Sequence, residues 1–158
     1  MTLHSEIVTS LQQKIRRSIP LSETMQFEIE QLSSHSITVM APLAPNINIH
    51  GTGFAGSIYS LGILTGWALT THIMSLTGMQ ASLVVARAEI KYRSPVTGDI
   101  KCFASVSESA SKEFYDNFKA GSNSPLEQCI DIGEDKNALL TARFVAIKPA
   151  GLLNCIQS

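Results

Sequence analysis

Residues 45–79 read PNINIHGTGFAGSIYSLGILTGWALTTHIMSLTGM, a loop rich in turn-forming residues that leads into a helix-length apolar segment. From Phe54 to Met79 there is no Asp, Glu, Lys or Arg, and His72 is the one side chain there that titrates near neutral pH. A helix that is apolar on every side has to be buried. We therefore predict a buried central helix, with the rest of the chain folded around it.

The composition limits the class of protein. The chain has 158 residues, with 12 basic and 13 acidic side chains and 44% hydrophobic residues. This length favours one domain with its own core, so we predict a single domain over residues 1–149 and a C-terminal tail over residues 150–158. The balanced charge provides no basic surface for nucleic acid, which leaves a small molecule or a partner chain as the expected ligand.

The termini and cysteines favour a cytoplasmic protein. Residues 1–6 lack the basic flank and apolar run of a secretory signal. The central segment is long enough to cross a membrane, but its glycines, serines and threonines argue against a membrane span. An odd number of cysteines cannot pair completely within the chain, and no metal-site spacing is present; the cysteines are Cys102, Cys129 and Cys155.

Hydrophobic periodicity predicts the other elements. Apolar residues at a spacing of four predict an N-terminal helix that ends near Arg17. Alternating segments predict two strands before the central helix and four after it, at residues 25–30, 37–40, 81–92, 100–106, 126–132 and 138–148. Residues 112–121 fit a short helix or a crossover loop equally well. We predict an α+β fold in which an antiparallel sheet wraps around one long helix.

Two segments carry a resemblance to a known family. Residues 46–57, NINIHGTGFAGS, resemble the loop that opens the central helix of hot-dog-fold proteins. Residues 90–99, IKYRSPVTGD, resemble the strand, proline turn and Gly-Asp pair that follow this helix in acyl-thioester hydrolases. Within this superfamily, the chain is similar to the small thioesterase family sometimes attached to acetyltransferase domains. The resemblance implies the hot-dog fold and hydrolysis of acyl-CoA or acyl-carrier-protein, although dehydratases and hydratases share the scaffold.

Thioester hydrolysis needs hydrogen-bond donors that polarise the acyl carbonyl. The start of the central helix offers the free backbone N–H groups of Gly56 and Ser57, and the helix dipole favours negative charge there. Glycine at this position permits close approach of the substrate. We therefore expect the acyl carbonyl oxygen to bind at this end of the helix.

The group that activates water is harder to assign. The resemblance implies an Asp or Glu one or two turns into the central helix, but residues 63–65 contain no carboxylate. The remaining candidates are Asn46, which can hold a water, and His50, which can act as the base or as a donor to the substrate. Ser57 and Thr65 can only position a ligand. A carboxylate from elsewhere, such as Asp99 or one in a second subunit, stays open.

Each candidate also has a structural interpretation. Asn46 is typical of turns beside proline and glycine, Ser57 of a helix cap, and Thr65 of a hydroxyl bonded to its own helix backbone. His72 is interpreted as a core or interface histidine. Gly62 and Gly66 permit a strand or a partner helix to approach closely.

The predicted strand over residues 81–92 suggests ligand and partner contacts. Arg87 and Arg93 are candidates for the phosphates of coenzyme A or phosphopantetheine, which would enter as part of the substrate because no separate cofactor is expected. The alternative is a solvated strand face. Hot-dog proteins pair their sheets with acyl tunnels at the seam, so the resemblance implies a homodimer or a dimer of dimers. A non-catalytic module that binds acyl groups or a partner is the third functional hypothesis.

Overall fold

The structure is a computed structural model that describes residues 3–149. The predicted tail over residues 150–158 and Cys155 lie outside this range. The described residues form four α-helices and six β-strands, with a short 3-10 turn at Ala44–Asn46. In chain order they are α1 Leu3–Ser18, α2 Leu21–Thr24, β1 Glu28–Leu32, β2 Ser36–Ala41, α3 Ala55–Thr77, β3 Ser82–Tyr92, β4 Ile100–Ser105, α4 Glu108–Lys119, β5 Ser124–Ile132 and β6 Ala138–Ile147.

The strands form one antiparallel sheet in the order β1-β2-β4-β5-β6-β3. The long helix α3 lies across its inner face and contacts β2, β4, β5, β6 and β3. Inward positions of β5 and β6 are buried while outward positions are exposed or half-buried, which is the period expected of strands covered on one side. The predicted fold is therefore confirmed: a sheet wraps around one helix, with α1 at the N-terminus, as in the hot-dog fold.

Two glycines let α3 sit close to the sheet. A Cβ atom at Gly62 would lie 2.9 Å from Cδ1 of Ile132, and one at Gly66 would lie 2.6 Å from Cε2 of Phe144. Ile132 and Phe144 are fully buried side chains of β5 and β6. The prediction that these glycines permit close packing is confirmed, and the neighbours are strands.

The two edges of the sheet differ. At the β1 edge, the buried side chain of Gln12 donates from Nε2 to the Phe27 carbonyl at 2.7 Å and accepts from the Ile29 N–H at 2.9 Å. The Gln12 side chain of helix α1 thus bonds backbone groups at this edge that a neighbouring strand would otherwise bond. The other edge is β3, which has 11 residues and pairs only with β6 among the described strands.

The segment over residues 112–121, left open between a helix and a loop, belongs mainly to helix α4. Its N-cap is Ser107, whose hydroxyl accepts from the Ala110 N–H at 3.1 Å. Phe114 of α4 is fully buried, so this helix covers part of the sheet. Within residues 3–149, no helix combines the length and apolar character needed to cross a bilayer.

Candidate active site

The loop before α3 is held by its own hydrogen bonds. Asn48 accepts at Oδ1 from the N–H of His50 at 2.8 Å and from the N–H of Thr52 at 3.2 Å. Its Nδ2 donates to Oγ1 of Thr52 at 2.9 Å, and Gly51 takes the positive φ of +75° that the turn requires. This turn presents Ile49, which is 95% exposed, and His50 at its tip.

Asn46 anchors the loop to the rest of the fold. Its side chain is 1% exposed, and its Nδ2 donates to the carbonyls of Met25 and Pro42, both at 2.9 Å. Its own carbonyl accepts from the Phe54 N–H at 2.7 Å. Oδ1 has no partner among the described residues. The structural interpretation of Asn46 is therefore supported, and its amide nitrogen is fully occupied.

The first turn of α3 carries free donors. The N-cap is Phe54, which has no side-chain cap, and the first helical bond shown runs from the Ile58 N–H to the Phe54 carbonyl at 2.9 Å. Among residues 3–149, the N–H groups of Ala55, Gly56 and Ser57 have no acceptor. The cap predicted as an alternative for Ser57 is wrong, because Ser57 lies inside the helix. The donors expected from the sequence are present.

The ring of Phe54 leaves no room for a side chain at position 56. A Cβ atom at Gly56 would lie 2.5 Å from Cε1 and 2.9 Å from Cζ of Phe54. The phenylalanine ring, 52% exposed, thus lies directly against the first turn of the helix. Within the chain, Gly56 makes room for this ring, a neighbour that the sequence pattern did not predict.

Tyr92, the last residue of β3, contacts the same turn. Its Oη donates to the carbonyl of Ala55 at 2.8 Å. Burial, together with the nearby Tyr59 hydroxyl, raises the pKa of Tyr92 above its ordinary value. The phenol is therefore protonated at neutral pH and available as a donor.

An apolar groove runs along α3 from the turn that follows the free donors. We name it the α3 groove; its cavity of about 230 Å³ is lined by Ile19, Leu21, Met25, Tyr59, Ser60, Ile63, Leu64 and Trp67. Ser60 lies one helical turn after Gly56, so the groove begins where the donors end. Its lining is almost entirely apolar, which suits a hydrocarbon chain better than a polar ligand.

The remaining polar candidates lie elsewhere. The hydroxyl of Thr65 is fully buried, donates to the Leu61 carbonyl at 2.7 Å and also contacts Cys102 of β4. Burial raises the pKa of the Cys102 thiol to about 12, so this cysteine is unreactive. Asp99 accepts from the Leu43 N–H at 3.1 Å and holds the loop after β2. Among the described residues, neither Thr65 nor Asp99 forms a hydrogen bond with the first turn of α3.

The arginines of the β3 segment are exposed. Arg87 pairs with Arg143 in register and lies on the outer face of the sheet, 3.8 Å from a carboxylate oxygen of Glu89. It is therefore on the face opposite to Tyr92. Arg93 follows Tyr92 directly, and its N–H donates to the Asn137 carbonyl at 2.8 Å. Of the two predicted phosphate ligands, only Arg93 lies beside the residue that contacts the α3 start.

His72 lies far along α3, in a cleft against α1. It is 7% exposed, and the cleft is also lined by Glu6, Lys14 and Ser75. Burial, and secondarily the charge of His4, lowers the pKa of His72. The interpretation as a core histidine agrees with this position. The described residues contain no group of three or more His, Cys, Asp or Glu arranged to hold a metal ion.

Comparisons with known proteins identify the family of this chain. A family model described as "Putative thioesterase" matches residues 8–148. A crystal structure from Shewanella oneidensis, described as a "putative thioesterase", is 30% identical with a TM-score of 0.79, and the match covers 90% of this chain and 99% of that one.

Two more distant structures share the fold. An unknown-function protein of Chlorobaculum tepidum has a TM-score of 0.87 at 22% identity, covering 92% of this chain and 96% of that one. A thioesterase of Haemophilus influenzae has a TM-score of 0.66 at 15% identity, covering 89% and 90%. Since the family model spans most of its length, the chain belongs to the "Putative thioesterase" family and has the hot-dog fold.

Proposed function

We propose that this protein is an acyl-thioester hydrolase that acts on acyl-CoA or acyl-carrier-protein. The observation that carries the proposal is the set of free backbone N–H groups at Ala55, Gly56 and Ser57, at the start of a helix without charged residues. Such donors stabilise negative charge on an oxygen atom, and the helix dipole adds to the effect. Family membership supports the same reaction class.

In the proposed reaction, the thioester carbonyl oxygen accepts hydrogen bonds from the N–H groups of Gly56 and Ser57. Water attacks the carbonyl carbon and loses a proton to a base, which gives a tetrahedral oxyanion that these donors stabilise. Collapse of this intermediate breaks the carbon–sulfur bond. The sulfur leaves with its electron pair and is protonated, so the products are a carboxylic acid and a thiol.

The α3 groove is the proposed site of the acyl chain. It starts one turn beyond the donors, at Tyr59 and Ser60, and continues to Trp67. A carbonyl bound at Gly56 would thus have apolar surface directly along the helix for the chain that follows it. Burial of hydrocarbon contributes roughly 0.8 kcal/mol per methylene group, which favours acyl chains long enough to fill the groove.

His50 is the proposed base, because α3 carries no carboxylate and the amide nitrogen of Asn46 is occupied within the fold. No described side chain forms a hydrogen bond with the His50 imidazole, so it is free to accept a proton from water. We propose that His50 of the partner subunit faces the α3 start of its neighbour. Arg93, exposed beside Tyr92, is the proposed contact for substrate phosphate.

A second copy of the chain is supported by the open edge of the sheet. One side of strand β3 pairs with no strand of residues 3–149, and its inner face exposes Val85 and Tyr92, 39% and 48% respectively. Ile47, Ile49 and Phe54 add exposed apolar surface beside the site. Uncovered strand edges and apolar side chains favour association. We propose a homodimer that pairs through the β3 edge.

The function is tested by release of free thiol from a panel of acyl-CoA and acyl-carrier-protein substrates of increasing chain length. We expect turnover that rises with chain length until the groove is filled. Absence of turnover with every chain length and with aryl thioesters rules out the hydrolase. Hydration of enoyl-CoA, measured in parallel, identifies the alternative hydratase.

The absence of a carboxylate on α3 favours one second candidate, a non-catalytic module that binds acyl groups. The same donors and groove would then hold a thioester without hydrolysing it. Calorimetric titration with acyl-CoA separates the two, because a binding module gives a stoichiometric complex whose thioester remains intact.

A further inference from the structure

We propose that Tyr92 is a positioning residue for hydrolysis, which fixes the first turn of α3 so that its N–H groups meet the developing oxyanion. This inference rests on the proposed function, and Tyr92 would act through the helix backbone. Its Oη donates a hydrogen bond of 2.8 Å to the carbonyl of Ala55. Ala55 is the first residue of α3.

A second hydrogen bond holds the residue just before the helix N-cap. The Gly53 N–H donates to the Val96 carbonyl at 2.8 Å, just before the N-cap Phe54. Tyr92 and Val96 belong to the same short segment at the end of β3. The two bonds therefore bracket the start of α3 and join it to one edge of the sheet.

The segment that supplies these bonds is itself fixed. The Asn137 carbonyl accepts from the N–H groups of Arg93 at 2.8 Å and Ser94 at 3.1 Å. Its Nδ2 donates to Oγ of Ser94 at 2.9 Å and to the Pro95 carbonyl at 3.0 Å. Asn137 is 9% exposed, and its side-chain bonds to this segment are partly buried. The segment that follows Tyr92 is therefore anchored to the start of β6.

The position of the turn matters most in the transition state. An oxyanion is stabilised when its donors lie at about 2.7–3.1 Å from the oxygen, and a displaced donor loses much of this effect. Ground-state binding of the acyl chain depends instead on the α3 groove. Loss of the Tyr92 bond should therefore reduce kcat and leave KM nearly unchanged.

The test compares Tyr92→Phe with the matched control Tyr115→Phe. Tyr92→Phe keeps the ring and removes the hydroxyl that donates to Ala55, whereas Tyr115 lies on α4 beside Lys119, outside the site. We expect kcat to fall by about tenfold in Tyr92→Phe, with KM and melting temperature unchanged and the control equal to wild type. An unchanged kcat, or a rise in KM alone, overturns the proposal.

A second measurement does not depend on turnover. The Ala55 carbonyl is also the helical acceptor for the Tyr59 N–H, so a looser first turn exposes the amides of Ile58 and Tyr59. We expect faster hydrogen exchange at these two amides in Tyr92→Phe and not in Tyr115→Phe. Unchanged exchange overturns the positioning role. If wild type releases no thiol, the proposed function fails, while the exchange rates still decide whether Tyr92 holds the turn.

Discussion

Two polar residues of the loop before α3 have opposite surroundings. Asn46 is 1% exposed and binds two carbonyls with its amide nitrogen, whereas His50 is exposed at the loop tip. The sequence alone predicts that alanine at either position lowers turnover by more than about tenfold without unfolding the protein. The structure separates these residues: Asn46 holds the loop by its hydrogen bonds, whereas His50 is exposed, which agrees with its proposed role as the base.

We predict different outcomes for the two alanine variants. His50→Ala should lower kcat by more than about tenfold and leave the free energy of unfolding unchanged. Asn46→Ala should lose about 1–3 kcal/mol of stability, because two carbonyls lose their donors in a buried site. Denaturant unfolding and thiol release, measured on both variants, check this. Wild-type turnover in His50→Ala removes it from the mechanism, and wild-type stability in Asn46→Ala contradicts the anchoring role.

His72 makes stability depend on pH. Its pKa in the folded protein is lowered, chiefly by burial and secondarily by the charge of His4, whereas the unfolded chain titrates near 6.5. The unfolded state therefore binds the proton more readily, so stability is full above about pH 6.5 and is lost as the pH falls through the folded pKa. We predict that His72→Gln flattens the fall in melting temperature between about pH 7 and pH 5.

Other titratable groups near His72 also contribute to the dependence of melting temperature on pH. Glu6 and Lys14 of α1 line the same cleft, and His4 lies close enough to affect its pKa. These groups are present in both proteins, so the difference between the two profiles isolates His72. Parallel profiles for wild type and His72→Gln contradict the prediction.

At the level of elements, α3 depends on its glycines for contact with the sheet. A Cβ atom at Gly66 would meet Phe144, whose side chain is fully buried between its neighbours. We predict that Gly66→Ala destabilises the fold by about 1–3 kcal/mol through overpacking, measured by denaturant unfolding. Gly98→Ala is the control, since a Cβ atom there would have no described neighbour within 4 Å. Equal stability of the two variants contradicts the close packing.

Most elements could be predicted because their hydrophobic pattern is regular. The uncharged run after Phe54 predicts a buried helix, and alternation predicts the six strands. Residues 112–121 fit a helix or a loop equally well from the sequence, because the segment is short and mixes charged and apolar side chains. The structure shows helix α4 there. The sequence predicts a glycine at the helix start that permits close approach, but not its contact with the Phe54 ring, because that contact depends on how side chains pack.

For the whole molecule, the two sheet edges predict how copies associate. Gln12 bonds the β1 edge, while the β3 edge is open within the described part of the chain and exposes Val85 on its inner face. We predict a particle of at least twice the 17.1 kDa chain mass by light scattering. Val85→Lys should shift it toward monomer and lower kcat, whereas Thr141→Lys, on the outer face of β6, should do neither. A stable wild-type monomer contradicts the partner-supplied base.

Only the part of the candidate site at the start of α3 could be predicted from the sequence. Free donors at the α3 start follow from predicting where the uncharged helix begins, because the first N–H groups of a helix have no acceptor within it, and the structure shows them. The hydrogen bond from Tyr92 to Ala55 could not be predicted, because the two residues are 37 positions apart and hydrophobic periodicity relates only nearby residues. Its only signal was the alternation that places Ala88, Ile90 and Tyr92 on one strand face. The α3 groove likewise depends on how α1 and α2 meet α3 in space.

The central claim is that the first turn of α3 binds the thioester carbonyl. Its most direct test is a crystal structure with an acyl-CoA analogue in which a methylene group separates the sulfur from a ketone. We predict a ketone oxygen at about 3 Å from the backbone nitrogen of Gly56 or Ser57, with the alkyl chain in the α3 groove. A ketone bound away from this turn, with its donors still unoccupied, contradicts the account.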